Sequence, residues 1–401
     1  MTAEQHFLPY ARQSIDDDDV AAVAATLRSD FLTTGPKVEE FESGFARATG
    51  AAHAVSCNSG TAALHLAVLA LDLGPGEAAI VPTLTFLATA NVARMCGAEV
   101  VFADVDAETG LMTPATLREA LERAETAGLK PKLALPVHLC GQVCDMAGLA
   151  AVAREKNIEL IEDACHSLGV PDIGAAKHSR AACFSTHPAK AIATGEGGIV
   201  TTADPAIAAR MQRLRNHGMT RDAREFQNRD EAFEGNEPNP WYYEMDEVGW
   251  NYRLPDVLCA LGISQLKKLD RFWRRRVAIA ALYDRLLAPL APVVRPVVRS
   301  GGPHGWHLYT VLIDFRRLGL GRGDVMSRLR GHGVGTQVHY IPVHRQPYYR
   351  RRYGALDLPF ADAFYRRCLS LPMFPAMNDD DVSRVAGALS ALVAGSGGTP
   401  R

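Results

Sequence analysis

The stretch Phe184-Ser185-Thr186-His187-Pro188-Ala189-Lys190, continuing to Thr194-Gly195-Glu196-Gly197-Gly198, places one lysine in a small polar segment bounded by glycines. Apolar runs at 181–184 and 199–200 flank it, and no charged residue lies near Lys190 between Arg180 and Glu196. Removal from water and from ion pairs lowers the pKa of a lysine, and a neutral amine can attack an aldehyde to form a Schiff base. Taken alone, the segment fits equally well a lysine that extends its charge from a strand end to the surface.

Strand-like and helix-like segments alternate around this stretch, from about residue 50 to 215. The pattern predicts strands at 52–56, 77–82, 99–104, 133–136, 159–162, 181–185 and 198–202, and helices at 61–71, 86–96, 114–126, 146–156 and 205–216. Such alternation is typical of an α/β fold, with a large, mostly parallel sheet flanked by helices.

The pattern changes after residue 219. A polar loop is predicted at 219–241, and long loops in compact domains are often functional. A helix follows from 256, and then strands at 308–314 and 336–340 with helices at 324–331 and 379–392, which together predict a smaller C-terminal α+β domain. The domain change falls within 265–305. We predict a large domain at 1–270, a small domain at 271–394 and a disordered tail at 395–401.

Composition excludes some classes of protein. The chain has 401 residues and a formal net charge of −2 without a basic stripe, which argues against a nucleic-acid-binding protein. Neither a secretory signal nor an apolar run of membrane-spanning length is evident, and the eight scattered cysteines suit reduced thiols, so we expect a cytoplasmic protein without membrane association. Cys140, Cys144 and His138 lie close together, but no second ligand pair follows at zinc-site spacing, so no metal is predicted.

Two strand-to-helix turns carry candidate binding groups. Asn58-Ser59-Gly60-Thr61 would present free backbone amides and hydroxyls at a helix start, where a phosphate binds well, although an ordinary capped turn looks the same. Phe86 follows another strand end and could stack on a flat ring or simply begin a core helix.

Two further segments carry polar groups in apolar surroundings. Asp163 stands at the carboxyl end of a predicted strand, where ligands bind in open parallel sheets, and could pair with a protonated ring nitrogen or cap the strand. Asn251 and Arg253 interrupt an apolar approach to a helix and suit either anion recognition or turn chemistry.

Taken together, these residues resemble the DegT/DnrJ/EryC1/StrS family of sugar aminotransferases, which are fold-type I enzymes dependent on pyridoxal 5′-phosphate. The resemblance covers almost the whole chain, from Leu32-Thr33-Thr34-Gly35-Pro36 to Leu369-Ser370-Leu371-Pro372. Its most specific markers are Ser185-x-His187-Pro188-x-Lys190, Gly195-Glu196-Gly197-Gly198, Glu162-Asp163-Ala164-x-His166, and Asn251-Tyr252-Arg253 leading to Gln265-Leu266.

The resemblance implies a role for each marker. Lys190 would be the Schiff-base lysine and proton shuttle, and Asp163 would hold the pyridine nitrogen protonated so that the ring acts as an electron sink. Phe86 would stack on the ring, and His166 would lie beside it, near the 3-hydroxyl group or the substrate. The phosphate would be held by Ser185, Gly60 and Thr61 and by Asn251 of the neighbouring subunit, which implies a homodimer with shared active sites.

Within the family the chain is most similar to the transaminases of pseudaminic acid biosynthesis, through 240–245, 337–344 and 346–349. This likeness implies glutamate as amino donor and a nucleotide-linked 4-keto-6-deoxy sugar, a UDP-linked N-acetylhexosamine, as substrate. His187, His217, Tyr340 and His344 would then contact the sugar nucleotide, with a packing role open for each.

Alternatives remain at this point. Within the class they are an enzyme of the GDP-perosamine type and a 3-amino-sugar enzyme. From another class, the chain could be a regulatory protein that binds the cofactor without turnover, although the intact pair of Lys190 and Asp163 argues against it. Residues 170–176 lack the hydrophilic hairpin usual in the family, and Thr186 stands where an aromatic residue is common, which leaves the sugar open.

Overall fold

The computed structural model describes residues 6–395, and its larger part is built on a seven-stranded sheet. The strands are β1 (His53–Cys57), β2 (Ala78–Pro82), β3 (Glu99–Ala103), β4 (Pro131–Ala134), β5 (Glu159–Asp163), β6 (Ala181–Ser185) and β7 (Gly198–Thr202). Their order is β1-β7-β6-β5-β4-β2-β3. All neighbours pair in parallel except β7, which is antiparallel to both β1 and β6. Because most of these strands are buried on both faces, their sequences read as continuous apolar runs.

Helices cover this sheet: α1 (Asp17–Leu27), α2 (Pro36–Thr49), α3 (Gly60–Ala70), α4 (Leu87–Met95), α5 (Pro114–Thr126), α6 (Met146–Glu155) and α7 (Pro205–Leu214). Local chemistry sets their starts. Ser59 caps α3 by accepting the amide of Ala62, and Thr113 with Pro114 opens α5. The predicted α/β class is therefore confirmed, although α1 and α2 were not predicted from the sequence.

The predicted polar loop after residue 219 contains short elements. They are β8 (Met219–Thr220), α8 (Arg229–Ala232), β9 (Phe233–Glu234), β10 (Glu237–Pro238) and β11 (Glu244–Met245). β9 pairs with β10, and β8 pairs with β11. The segment is thus an ordered excursion whose side chains Trp241, Tyr243 and Met245 are exposed.

The C-terminal part contains α9 (Asp256–Leu266), α10 (Leu269–Leu287), β12 (Val294–Pro296), β13 (Tyr309–Ile313), α11 (Phe315–Leu318), α12 (Arg322–Gly331), α13 (Pro347–Tyr353), α14 (Pro359–Arg367), β14 (Cys368–Leu371) and α15 (Asp379–Gly395). β12, β13 and β14 form an antiparallel sheet. The predicted strand at 336–340 is wrong, because Gln337 forms only an isolated bridge to Ser370.

A separate apolar core belongs to this C-terminal part. It joins Ile279, Tyr283 and Leu287 of α10 to β13, β14 and α15, and Leu8 packs into it from the N-terminal segment. The domain limits at 270 and 394 stay a prediction, and the predicted tail lies outside the described residues from 396 onwards. Within residues 6–395, no helix combines the length and the apolar character that crossing a bilayer requires.

Buried histidines make this fold sensitive to acid. Burial lowers the pKa of His65 to about 4 and the pKa of His339 to about 3. An unfolded histidine titrates near 6.5, so the unfolded chain binds more protons between these values, and stability present at neutral pH is lost as the pH falls below about 6.5. We expect each of these histidines to remove about 2 kcal/mol of stability at pH 5 relative to pH 7.

The variant His65→Phe tests this expectation. In the described part of the chain His65 Nε2 has no hydrogen-bond partner, Nδ1 lies 3.1 Å from the hydroxyl of Tyr252, and the ring packs edge-on against Trp250. Urea unfolding between pH 5 and 7 should show a pH dependence weaker by about one proton than in the parent protein. An unchanged dependence would show that His65 does not titrate on unfolding.

Candidate active site

Four turns converge at the carboxyl edge of the sheet and enclose a cavity of about 600 Å³. They follow β1, β2, β5 and β6, and residues 337–341 of the C-terminal part close the opposite wall. Of the predicted site residues, the cavity brings together Gly60, Thr61, Phe86, Asp163, His166, Ser185, His187, Lys190 and Tyr340. The structure thus brings these residues together in one cavity, and their roles stay predictions.

Lys190 lies in the loop between β6 and β7, partly buried, with its backbone amide donating to the carbonyl of His187 at 2.8 Å. Desolvation lowers the pKa of its ammonium group, and the nearby Cys165 and Asp163 oppose this only in part. No ion pair to Lys190 forms among the described residues. The amine is thus more readily available in its neutral, nucleophilic form than a surface lysine would be.

Asp163 ends β5 and is only 5% exposed. Its Oδ2 accepts the hydroxyl of Thr89 at 2.7 Å, and its Oδ1 accepts the amide of Cys165 at 3.2 Å. The backbone is held as well, since the carbonyl of Asp163 accepts the amide of His138 at 3.1 Å. A buried carboxylate held in this way can receive a cationic N–H from a ligand in the cavity.

A phosphate cradle forms where α3 begins. The amides of Gly60 and Thr61 occupy the first turn of α3 and have no partner in the described chain, while Ser59 takes the amide of Ala62. A Cβ atom at Gly60 would stand 2.8 Å from the Cβ and 3.1 Å from the Oγ of Ser185, so only glycine lets the two segments approach. Free amides, a helix start and a hydroxyl together suit a phosphate dianion, and with Lys190 and Asp163 they fit pyridoxal 5′-phosphate.

We expect Gly60→Ala to raise the dissociation constant of the cofactor by at least about tenfold, because the added methyl group pushes Ser185 out of the cradle and one charge-assisted hydrogen bond is worth about 1.5–3 kcal/mol. Equilibrium titration of the apoprotein with pyridoxal 5′-phosphate measures it. Gly323→Ala in the first turn of α12 is the matched control, since a Cβ there meets nothing within 4 Å. Equal affinities of the two variants would contradict the cradle.

His166 is fixed in one tautomer by its neighbours. The amide of Cys140 donates to Nδ1 at 3.2 Å, so the ring proton lies on Nε2, which faces the hydroxyl oxygen of Tyr340 at 3.2 Å. Burial, and secondarily Lys190, holds the pKa of His166 well below its usual value, so the ring is neutral. Because Tyr340 accepts from His166, its own proton is free to point at a ligand, and burial keeps that phenol protonated by raising its pKa.

Phe86 and His187 are more exposed than their neighbours. Phe86 is 57% exposed at the start of α4, with its ring centroid 6.1 Å from that of Tyr340. His187 Nδ1 accepts the amide of Ala189 at 3.3 Å, and its own amide donates to Ser185 Oγ at 3.3 Å. An exposed aromatic face over the cavity is what a stacked ring requires.

Three predicted residues lie away from this cavity. His344 is buried behind it, with Nδ1 2.7 Å from the hydroxyl of Thr83. His217 and Asn251 are exposed next to the excursion at 219–245, where the carbonyl of Asn251 accepts the side-chain amide of Asn58 at 3.3 Å. The roles of His217, Asn251 and His344 in binding therefore stay predictions.

The structure adds residues that sequence reasoning missed. Thr89 bonds Asp163, Tyr10 reaches the cavity from the N-terminal segment, and His307 packs on His166 with ring centroids 4.3 Å apart. Thr89 could have been noticed as a hydroxyl in the otherwise apolar start of the helix predicted at 86–96. Tyr10 and His307 gave no local signal, because each contact spans well over a hundred residues of chain.

The side chains His138, Cys140 and Cys144, which lie close together in the sequence, take part in other hydrogen bonds. His138 Nε2 lies 2.8 Å from Glu162, and its Nδ1 accepts the amide of Cys144. Cys140 Sγ lies 3.3 Å from the hydroxyl of Thr310. In the part of the chain that the structure describes, no group of three or more histidine, cysteine or acidic side chains is arranged to hold a metal ion.

Comparisons with known proteins agree with this geometry. The model of the DegT/DnrJ/EryC1/StrS aminotransferase family matches residues 13–390. The spore coat polysaccharide biosynthesis protein SpsC of Bacillus subtilis (strain 168) is 39% identical over an alignment of length 401 that covers 98% of each chain.

Solved structures give the same result. PseC of Helicobacter pylori, an aminotransferase involved in pseudaminic acid biosynthesis, has a TM-score of 0.85 at 26% identity and covers 97% of this chain and 100% of its own. The putative sugar aminotransferase Spr1654 of Streptococcus pneumoniae, in its PMP form, has a TM-score of 0.86 at 26% identity, with 98% of each chain covered. Spr1654 is also known in a PLP form.

These matches confirm three predictions made from the sequence: a fold-type I architecture, aminotransferase activity, and pyridoxal 5′-phosphate as cofactor. They agree with the cavity, where Lys190, Asp163 and the turn at Gly60 meet. The chain belongs to the DegT/DnrJ/EryC1/StrS aminotransferase family.

Proposed function

We propose that this aminotransferase moves an amino group from glutamate to C4 of a nucleotide-linked 4-keto-6-deoxy sugar, a UDP-linked N-acetylhexosamine, for a surface glycan or nonulosonic acid. The observation that carries the reaction type is the pairing, in one cavity, of the desolvated Lys190 with the hydrogen-bonded Asp163. The likeness to PseC and SpsC supports a sugar of this class.

The chain's own groups divide the work. Bound pyridoxal 5′-phosphate supplies an electron sink for the carbanion that amino transfer creates. Asp163 holds a proton at the ring nitrogen, and the neutral Nζ of Lys190 takes and returns the proton at the reacting carbon. The amides of Gly60 and Thr61 with Ser185 orient the phosphate, and Phe86 covers one ring face. Tyr340, with its free proton, offers a hydrogen bond to an oxygen of the cofactor or substrate.

The sugar nucleotide would enter from the side where the cavity opens. His187 and Tyr340 line that space, whereas His217 lies outside the lining, next to the excursion at 219–245. Lys190 is the only lysine or arginine among the described residues that line the cavity, and burial lowers the pKa of His166, His307 and His339. A nucleotide diphosphate requires more positive charge than this, which supports a second subunit at the site.

We therefore also propose a homodimer in which Asn251 of one subunit reaches the cofactor phosphate of the other. Asn251 is exposed and lies just before α9, and Trp241, Tyr243 and Met245 present apolar surface nearby in sequence.

All eight cysteines are free thiols, which supports the proposed cytoplasmic location.

A substrate panel tests the proposed function. Purified enzyme with glutamate is incubated with UDP-, GDP- and dTDP-linked 4-keto sugars and with a dTDP-linked 3-keto sugar, and amination is followed by mass spectrometry. We expect the UDP-linked 4-keto-6-deoxy-N-acetylhexosamine to be aminated fastest. Preference for the GDP-linked sugar would favour an enzyme of the GDP-perosamine type, and amination of the 3-keto sugar alone would refute the proposal. A protein that binds the cofactor but aminates nothing would point to a regulatory role.

A further inference from the structure

Two threonine hydroxyls form a chain that ends on Asp163. Thr85 Oγ1 lies 2.7 Å from Thr89 Oγ1, and Thr89 Oγ1 lies 2.7 Å from Asp163 Oδ2. Both threonines line the cavity, yet Thr85 is only 2% exposed and Thr89 is fully buried. Neither is among the residues that the sequence pointed to, and the family motifs quoted above do not include them.

The direction of this chain follows from proton counting. An ionised carboxylate can only accept, so Thr89 gives its single hydroxyl proton to Asp163. The hydroxyl oxygen of Thr89 is then an acceptor, and Thr85 must be the donor to it. Consecutive hydrogen bonds that point the same way strengthen one another in a low dielectric. The carboxylate of Asp163 is thus the final acceptor of two consecutive hydrogen bonds, from Thr85 to Thr89 and from Thr89 to Asp163.

The start of α4 positions two groups that a bound cofactor ring would contact: Phe86 directly, and Asp163 through Thr89. Thr89 is the third residue of α4, and Phe86 immediately precedes that helix. Thr85 lies just before the extended N-cap Phe86, and its hydroxyl reaches that of Thr89 in the first turn of the helix. The amide of Cys165 takes the other oxygen of Asp163. Each carboxylate oxygen therefore has one protein donor, which leaves a defined direction free for an N–H in the cavity.

We propose that Thr89, supported by Thr85, is a positioning residue for amino transfer: it holds the carboxylate of Asp163 in the orientation that receives the ring nitrogen of the cofactor. This inference rests on the cofactor-dependent reaction above but not on the identity of the sugar. Without the hydroxyl of Thr89, the carboxylate can rotate about its side-chain bonds, and the ring nitrogen loses a preformed partner. Thr89 itself touches Asp163 and does not need to touch the reacting atoms.

The test compares Thr89→Val, which keeps the shape and removes the hydroxyl, with Thr89→Ser, which keeps the hydroxyl. Thr201→Val is the matched control, because Thr201 is also fully buried and donates only to the carbonyl of Ala182, at 3.4 Å. Two quantities are measured on purified protein: the dissociation constant of pyridoxal 5′-phosphate, and the pH midpoint at which the visible absorption of the bound cofactor changes. Steady-state turnover is recorded alongside.

We expect Thr89→Val to raise the dissociation constant about tenfold, the loss of one hydrogen bond to a charged group. The pH midpoint reports the pKa of the nitrogen that would link the cofactor to Lys190, and a positive charge on the ring nitrogen lowers this pKa. In Thr89→Val the loosely held Asp163 keeps the ring nitrogen protonated less often, so the midpoint should rise. Thr89→Ser should restore both quantities, and Thr201→Val should change neither. Thr85→Val should shift the midpoint in the same direction by a smaller amount.

Unchanged midpoints and affinities in both Thr89→Val and Thr85→Val would overturn the proposal, as would equal losses in Thr89→Val and Thr201→Val. If Thr89→Val does not fold, as circular dichroism would show, Thr85→Val and Thr89→Ser carry the decision. A substrate panel without amination, combined with the expected spectral shifts, would refute the sugar proposal and leave this inference standing.

Discussion

Replacing Lys190 with alanine is expected to lower kcat by at least about 10⁴-fold, the upper end of what a positioned proton-transfer group contributes. Among residues 6–395, Lys190 is the only amine that lines the cavity, and the side chains beside it are poor substitutes. Asp163 is already hydrogen-bonded, and burial keeps His166 neutral with its Nδ1 occupied. The variant also loses the covalent attachment of the cofactor.

Three measurements check this expectation: turnover with glutamate, visible absorption, and borohydride reduction followed by peptide mass spectrometry, which should place the cofactor on Lys190 in the parent protein alone. Lys177→Ala, at an exposed lysine paired with Asp172, is the matched control and should keep full activity. A small primary amine added to Lys190→Ala should restore part of the activity by carrying the missing proton. Full turnover by Lys190→Ala without added amine would refute the mechanism.

Replacing Asp163 with alanine is expected to lower kcat by about 10²–10³-fold, the usual effect of removing one preorganised electrostatic partner. The loss arises because the ring nitrogen no longer has a buried carboxylate to keep it protonated, so the developing negative charge is less stabilised. Binding of the phosphate should persist, since the amides of Gly60 and Thr61 do not depend on Asp163.

Glu159→Ala is the matched control for this prediction, because Glu159 lies at the other end of β5 and is exposed. A cofactor methylated at the ring nitrogen carries a positive charge without a carboxylate partner. It should therefore recover part of the activity of Asp163→Ala and add nothing to the parent enzyme. If the methylated cofactor fails to discriminate between the two proteins, the ring nitrogen is not the target of Asp163.

The sequence was most informative where chemistry and local structure coincide. Lys190 stands in an uncharged turn between two apolar strands, and Asp163 stands at the end of another strand, so both positions follow from strand placement alone. In an open parallel sheet such ends share one edge, and the resemblance to the family is what joins the separate motifs into one predicted site.

The sequence is less informative where contacts cross between distant segments. The resemblance implies that His344 contacts the sugar nucleotide, and this role stays a prediction. The structure places His344 outside the cavity lining, bonded to Thr83 more than two hundred residues away. The strand expected at 336–340 met a similar limit, because apolar content there reflects packing of Val338 and Tyr340 against the large core rather than pairing in a ladder. Neither helix propensity nor alternation carries information on such contacts.

The reversed strand β7 has a consequence for the lysine loop. Because β7 runs antiparallel to β6, residues 186–197 leave the sheet and return to it at the same edge, with Ser185 paired to Gly198. A parallel successor would have carried the chain to the far edge and back through a crossover of a dozen or more residues. The loop instead begins and ends at one edge, and the pairing of Ser185 with Gly198 holds both of its ends. The loop that carries Lys190 is thus anchored to the sheet at both ends, and side chains elsewhere along this edge can vary without moving it.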